Sequence, residues 1–218
     1  MAIKKKKSTA RPKPKAKPKL QAKAKAKPVA KATPKAKPKA KPAPMRTPKP
    51  MSEAEMMAQR QAAMTPSAGH ARLMPMVGTW RAKTTFTMAP GAPPQIHGGT
   101  SVHRLVLGGR YLEQIYKGMA MGMPFEGIGY TGYDNVQKRY VGTWMDTMGT
   151  GLMTSASVGT PTDERIDCVA EAVEPSGQKR IFETIVRIHN HGRHSYEMWT
   201  MGPTGKKHRT MIVEYERA

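Results

Sequence analysis

The chain of 218 residues has a single cysteine, Cys168, so no internal disulfide is expected and a reducing compartment suits it. It contains no run of about 18 apolar residues, so no membrane-spanning helix is expected. Lys4 to Lys7 imitate the basic start of a secretory signal, but no apolar stretch follows them. An organellar transit peptide would need an amphipathic helix, which the alternating prolines forbid. Common active-site motifs are missing too. There is no Gly-x-Ser-x-Gly elbow and no phosphate loop, and Gly127-x-Gly129 lies between strands with no helix after it. The most telling lack is local: the first fifty residues hold no Asp, no Glu and no aromatic residue.

What fills that segment is Lys, Ala and Pro. It carries 19 of the chain's 37 Lys+Arg, while the remaining 18 face all 15 acidic residues, so the net charge of +22 describes an arm and not the rest. With Ile3, Leu20 and Val29 as almost its only large apolar side chains, the arm has nothing to offset chain entropy and is expected to be disordered. Proline and like-charge repulsion extend it, to a reach of about 150 Å at ~3.1 Å per residue. Such an arm suits a polyanion. Lys13, Lys15, Lys17, Lys19, Lys35, Lys37, Lys39 and Lys41 are the candidate contacts to DNA or RNA phosphates. Ten engaged lysines would give log K a slope of about −9 against log salt. Lys lacks the bidentate fork of Arg, and no aromatic is there to stack on bases, so no sequence preference is expected. The plainer alternative is a solubilising arm, or one that touches anionic lipid or polyphosphate.

From residue 51 the composition changes. Ser52 and Glu55 form a capping box ahead of good helix formers, which Thr65-Pro66 ends; a second short helix should run from Ser67 or Ala68 to Met74. After Pro75 the period becomes two. Trp80, Ala82, Thr84 and Phe86 alternate with Arg81, Lys83, Thr85 and Thr87. Further strands are read at 99–107, 110–118, 125–133, 139–147, 151–159, 165–173, 179–188, 193–201 and 206–217, with turns such as Gly108-Gly109, Asp134-Asn135 and His191-Gly192 between them. About ten short strands with no helix between them predict an all-β, up-and-down antiparallel barrel of the lipocalin/calycin kind. The expected organisation is a disordered arm at 1–50, a helical lead-in at 51–75 and a barrel at 76–218. A barrel this wide tends to enclose a cavity.

Several motifs resemble the bacterial family called domain of unknown function 1579. They are His70-Ala71-Arg72-Leu73, Val77-Gly78-Thr79-Trp80, Gly108-Gly109-Arg110-Tyr111-Leu112, Phe125-Glu126-Gly127-Ile128-Gly129-Tyr130, Gly132-Tyr133-Asp134-Asn135 and, the most specific, Tyr140-Val141-Gly142-Thr143-Trp144-Met145-Asp146-Thr147-Met148. The resemblance covers roughly 51–218 and implies a lipocalin-like barrel. It implies no activity and no catalytic residues. The arm is similar in composition to the Lys-Ala-Pro tails of linker histones.

Within the barrel, Trp144 and Asp146 should share a face, two residues apart on one strand. An inward carboxylate beside an indole would need a partner, for which Tyr111, Tyr130, Arg110 and Arg187 are candidates. The interior ligand set is therefore read as Trp80, Tyr111, Tyr130, Trp144, Asp146 and Met148, binding a small apolar or amphipathic molecule. The fifteen methionines from Met56 to Met211 are expected to fill the core, to loop over the barrel mouth or to line a ligand, with Cu(I) as a remote alternative. His189, His191 and His194 flank a turn without a clear fourth ligand, so no metal is assigned. Cys168 has no placed His base, and Ser195 faces away from its neighbour His194. No cofactor is expected. The reading is a non-enzymatic binding barrel in the cytoplasm, held near the nucleoid by its arm. The alternatives are a hydrolase or isomerase built on Asp146, or a protein-interaction module.

Overall fold

The computed structural model describes residues 51–218 except 175 and 203. The polycationic arm and its candidate lysines lie outside the described residues. The lead-in begins with α1 (Glu53–Met64), capped as the sequence requires: Ser52 N–H donates to Glu55 Oε2 at 2.7 Å, and Glu55 N–H to Ser52 Oγ at 3.3 Å. No residue of α1 is buried. Its last turn is held instead by polar side chains from two barrel turns, Asn135 Nδ2 donating to Thr65 O at 2.7 Å and Arg110 Nη2 to Met64 O. A second helix, α2 (Ala68–Ala71), is shorter than expected and gives way to a 3-10 turn at Met74–Met76. Pro75 is the reason. It disfavours α geometry at Met74 and removes a donor, and a 3-10 first turn accommodates both.

Ten strands follow: β1 (Gly78–Phe86), β2 (Gln95–Val106), β3 (Tyr111–Ala120), β4 (Met123–Asp134), β5 (Arg139–Asp146), β6 (Met153–Ser157), β7 (Arg165–Val173), β8 (Lys179–Asn190), β9 (Arg193–Met201) and β10 (Lys207–Arg217). Each pairs antiparallel with the next, and β1 pairs with β10 from Trp80↔Arg217 to Phe86↔Met211, so the sheet closes as an up-and-down barrel. Closure removes the two edges an open sheet would expose. The turns obey local chemistry. Leu107, Gly108 and Gly109 all take positive φ between β2 and β3. Asp134 Oδ1 accepts from Val136 N–H at 2.8 Å and Gln137 N–H at 3.0 Å, an Asx turn that starts the β4–β5 connection.

One end of the barrel is plugged. Leu73 and Met76 from the lead-in pack against Leu112, Tyr140, Ile166 and Ile188, all 7% exposed or less. Tyr140 O–H donates to the Gly69 carbonyl at 2.8 Å, and Arg72 reaches Asp163 at 2.6 Å, tying the plug to the barrel wall. Each aliphatic side chain buried here contributes about 1.5–3 kcal/mol. Above this floor sits a second cluster of Trp80, Ala82, Tyr116, Val213 and Tyr215. Trp80 joins the layers, its indole N–H donating to Met76 O at 2.9 Å while Arg217 lies 4.4 Å from its ring. Among the described residues no helix is long and apolar enough to cross a membrane.

Candidate ligand-binding lumen

Alternation along each strand decides which side chains enter the barrel. Pairing Trp144↔Gly129 and Gly127↔Asp146 puts Trp144 and Asp146 on the inner face together with the glycines of β4. Across the sheet, Cys168↔Thr184, Val186↔Tyr196 and Met198↔Met211 continue that face. On the inner wall, missing side chains matter as much as present ones. A Cβ at Gly127 would lie 2.2 Å from Trp144 Cζ2, and one at Gly129 2.7 Å from Trp144 Cε3. The indole therefore lies flat across β4, in space that two side chains would otherwise occupy. Tyr116 does the same on the neighbouring wall, where a Cβ at Gly99 would meet its hydroxyl at 2.4 Å.

Both rings lie against the wall rather than across the barrel. Gln114, Thr131, Trp144, Ser155, Tyr196 and Met198 all point inward, yet each is only half-buried. Glu113 and Glu197 point outward and are 8% and 7% exposed. This inverts the usual order of an inside and an outside. Burial nevertheless pushes the Tyr196 hydroxyl pKa well up, and pushes Cys168 up to about 11. The inward side chains that keep accessible surface mark out a candidate ligand space. No Lys, Arg, Asp or Glu among the described residues faces that space between the Trp80 layer and the rim, where Asp146 and Arg180 stand.

Asp146 is already engaged. Trp144 Nε1–H donates to Oδ2 at 2.8 Å and Met148 N–H to Oδ1 at 2.9 Å, so its partners are its own neighbours and not the tyrosines or arginines expected. Met148 itself is 40% exposed in the loop after β5. Trp80 is fully buried in the layer above the floor. Tyr111 and Tyr130, expected inside, face outward. Tyr130 pairs with Thr143 and donates its hydroxyl to Glu113 Oε1 at 3.0 Å, and Arg104 holds the other oxygen of that carboxylate. The Arg104 hydrogen bond keeps Glu113 below the usual carboxylate range. Both tyrosines line a concavity of about 860 Å³ on the outer wall, with Val141, Thr143, Val169 and Ile181.

The floor of the lumen carries a histidine pair that sequence reading missed. His103 Nε2 lies 2.9 Å from Ser101 Oγ, while the His194 ring stacks on Tyr215 at 4.3 Å and meets Trp80 edge-on at 4.3 Å. Burial pushes His103 down to about 4 and His194 to about 3, with His103 and Arg217 lowering His194 further. Neither ring nitrogen of His194 has a hydrogen-bond partner. The available signal was parity: Ser101, His103 and Leu105 alternate inward along β2, as His194 and Tyr196 do along β9. The turn histidines do not converge. His194 faces in, His189 approaches Ser195 Oγ at 3.2 Å on the other face, and His191 is exposed. Among the described residues no three His, Cys, Asp or Glu side chains are grouped to hold a metal.

Comparison with known proteins agrees with this architecture. The crystal structure of Rv2717c from M. tuberculosis is similar with a TM-score of 0.51 at 15% identity, over 71% of this chain and 99% of that one, a likeness of fold alone. A redesigned β-barrel covers 69% of the chain and 95% of its own at 12% identity, with a TM-score of 0.36. No curated protein matches the sequence. The family profile described as protein of unknown function, DUF1579, matches residues 65–217, from the end of α1 through the last strand, and the chain belongs to that family.

Proposed function

We propose that the barrel binds a small apolar or amphipathic molecule reversibly in its lumen, without transforming it. The observation that carries this reading is the half-buried inner wall around Trp144, Ser155 and Tyr196, open where a filled barrel would be sealed. Ligand sites of this kind are concave and mostly apolar, with a few polar groups; here Gln114, Thr131 and Ser155 supply them. Mass spectrometry of small molecules released from the purified full chain tests the reading. A stoichiometric ligand supports it. A chain that releases nothing and takes up nothing from a metabolite and lipid extract refutes it.

The basic arm adds a location to this activity. Its lysines are proposed to hold the barrel near DNA or RNA in the cytoplasm, at the nucleoid, through counterion release. An electrophoretic shift of duplex DNA is expected with the full chain and not with residues 51–218; equal shifts with both would remove the arm from the account. Two further readings have their own supports. A protein-interaction module is favoured by the outer concavity and its exposed Tyr111, Val169 and Ile181. Chemistry at Asp146 is weakened by that carboxylate's double engagement, and a substrate screen against Asp146→Asn would separate it from binding.

A further inference from the structure

The lumen wall has a chemistry of its own, and it narrows the ligand class. Trp144 lies flat across Gly127 and Gly129, with one face of its ring against the strand backbone. The ring is half-buried and packs beside the Trp80–Tyr116 cluster, so its other face borders the lumen. Its position is fixed at both ends: the indole N–H is held by Asp146 at 2.8 Å, and the benzo edge is seated where two Cβ atoms would be. Tyr116 forms a second fixed ring over Gly99 and Gly118, its hydroxyl 3.3 Å from Thr84 Oγ1 and its face edge-on to Phe125 at 5.6 Å. A rigid, pre-placed ring loses little entropy when a second ring stacks on it.

The second observation is the absence of inward charge among the described residues between the Trp80 layer and the rim. The polar groups there are amide and hydroxyl, Gln114, whose Nε2 donates to Tyr215 O–H at 2.9 Å, with Thr131 and Ser155, and one imidazole, His97, near the start of β2. A carboxylate or sulfonate drawn below the rim would lose its hydration with no lysine or arginine there to meet it. The mouth carries one charge of each sign, Asp146 and Arg180, and Arg180 is already paired with Glu174.

We infer that the lumen selects an uncharged planar aromatic molecule, stacked on the free face of Trp144 and hydrogen-bonded by neutral side chains. This rests on the proposal that the barrel binds a ligand in its lumen. A single pair of dyes separates the two claims. N-phenyl-1-naphthylamine is uncharged; 1-anilinonaphthalene-8-sulfonate is the same phenyl–naphthyl amine skeleton with one sulfonate added. Both are titrated by fluorescence into the full chain at about 0.5 M salt, where attraction of the sulfonate to the arm is screened.

The uncharged dye is expected to bind at one site, at least about a hundredfold more tightly than the sulfonate. Trp144→Leu should weaken it about tenfold, because the stacking face is gone, while Trp144→Phe, which keeps a ring, should stay within about threefold. Gly127→Ala, which displaces the indole without removing it, should also weaken binding. Circular dichroism of each variant checks that the barrel is intact, and if Trp144→Leu does not fold, Gly127→Ala and Trp144→Phe carry the comparison. Equal affinity for both dyes overturns the inference and leaves the lumen proposal standing. So does uncharged-dye binding that neither Trp144→Leu nor Gly127→Ala alters. Failure of both dyes to bind overturns the inference, and with an empty purified chain it overturns the lumen proposal too.

Discussion

The floor and the upper wall of this barrel are built by the same ten strands with the same alternation, yet one is fully buried and the other only in part. At the floor, Leu73 and Met76 enter from the lead-in and meet Tyr140, Ile166 and Ile188, leaving almost no accessible surface. A few residues higher, inward side chains such as Ser155, Tyr196 and Met198 keep part of theirs. The difference does not come from the strands. It comes from what the rest of the chain puts between them: a plug at one end, and at mid-height aromatic rings that lie along the wall. A barrel of ten strands is wider than its own side chains fill, so a solid layer needs material from outside the sheet.

The comparison is broken most directly at its sealed end. Leu73→Ala should cost about 2–5 kcal/mol, read from the denaturant midpoint, because the plug side chain is fully buried. Met198→Ala on the inner wall, outside both packed clusters and only half-buried, should cost clearly less. Equal losses at the two positions would mean that the lumen is packed as tightly as the floor.

Acid should act next most strongly, at the boundary between the layers. Both floor histidines have folded-state values below the ordinary 6.5, at about 4 for His103 and about 3 for His194, so the unfolded chain binds their protons more readily. Their neutral forms support the fold fully above pH 6.5, and that support fades as pH falls through about 4 and then about 3. The loss is on the order of a few kcal/mol. His194→Phe, a neutral ring of similar shape, should move the acid-unfolding midpoint to lower pH; an unchanged midpoint would show that the pair does not couple to folding.

A smaller effect is expected at the tie between plug and wall. Tyr140→Phe leaves the Gly69 carbonyl without its 2.8 Å donor in a buried setting, at about 1–3 kcal/mol by thermal or chemical melting. The smallest effect should come from outside. Tyr130→Phe removes a hydroxyl from a carboxylate that Arg104 still holds, so a change within about 1 kcal/mol is expected, with ligand or dye binding in the lumen untouched. Altered lumen binding in that variant would mean that the outer wall takes part in the site.

Much of this was legible before the structure. The capping box of Ser52 and Glu55, the strand set and the shared face of Trp144 and Asp146 follow from short-range rules: hydrogen-bond reach, period two and turn residues. Tyr111 and Tyr130 were not legible, and the reason lies in the glycines. Along Gly127, Ile128, Gly129 and Tyr130, a sequence reader assigns the inner face to the large apolar residues. The barrel does the opposite, because Trp144 arrives from β5 and fills the space over Gly127 and Gly129. The same blindness hid His103 and His194, which come from strands seven apart in the chain and meet only because the barrel closes, with ring centroids 5.2 Å apart.

The sequence by itself determined the kinds of parts. It separated a lysine-rich arm with little apolar composition from a nearly charge-balanced region whose alternation and turns point to a closed antiparallel sheet. Tertiary structure decided which face of each strand looks inward and whether the inside is filled. Those two properties depend on side chains from neighbouring strands competing for one volume, and no local pattern records the outcome of that competition.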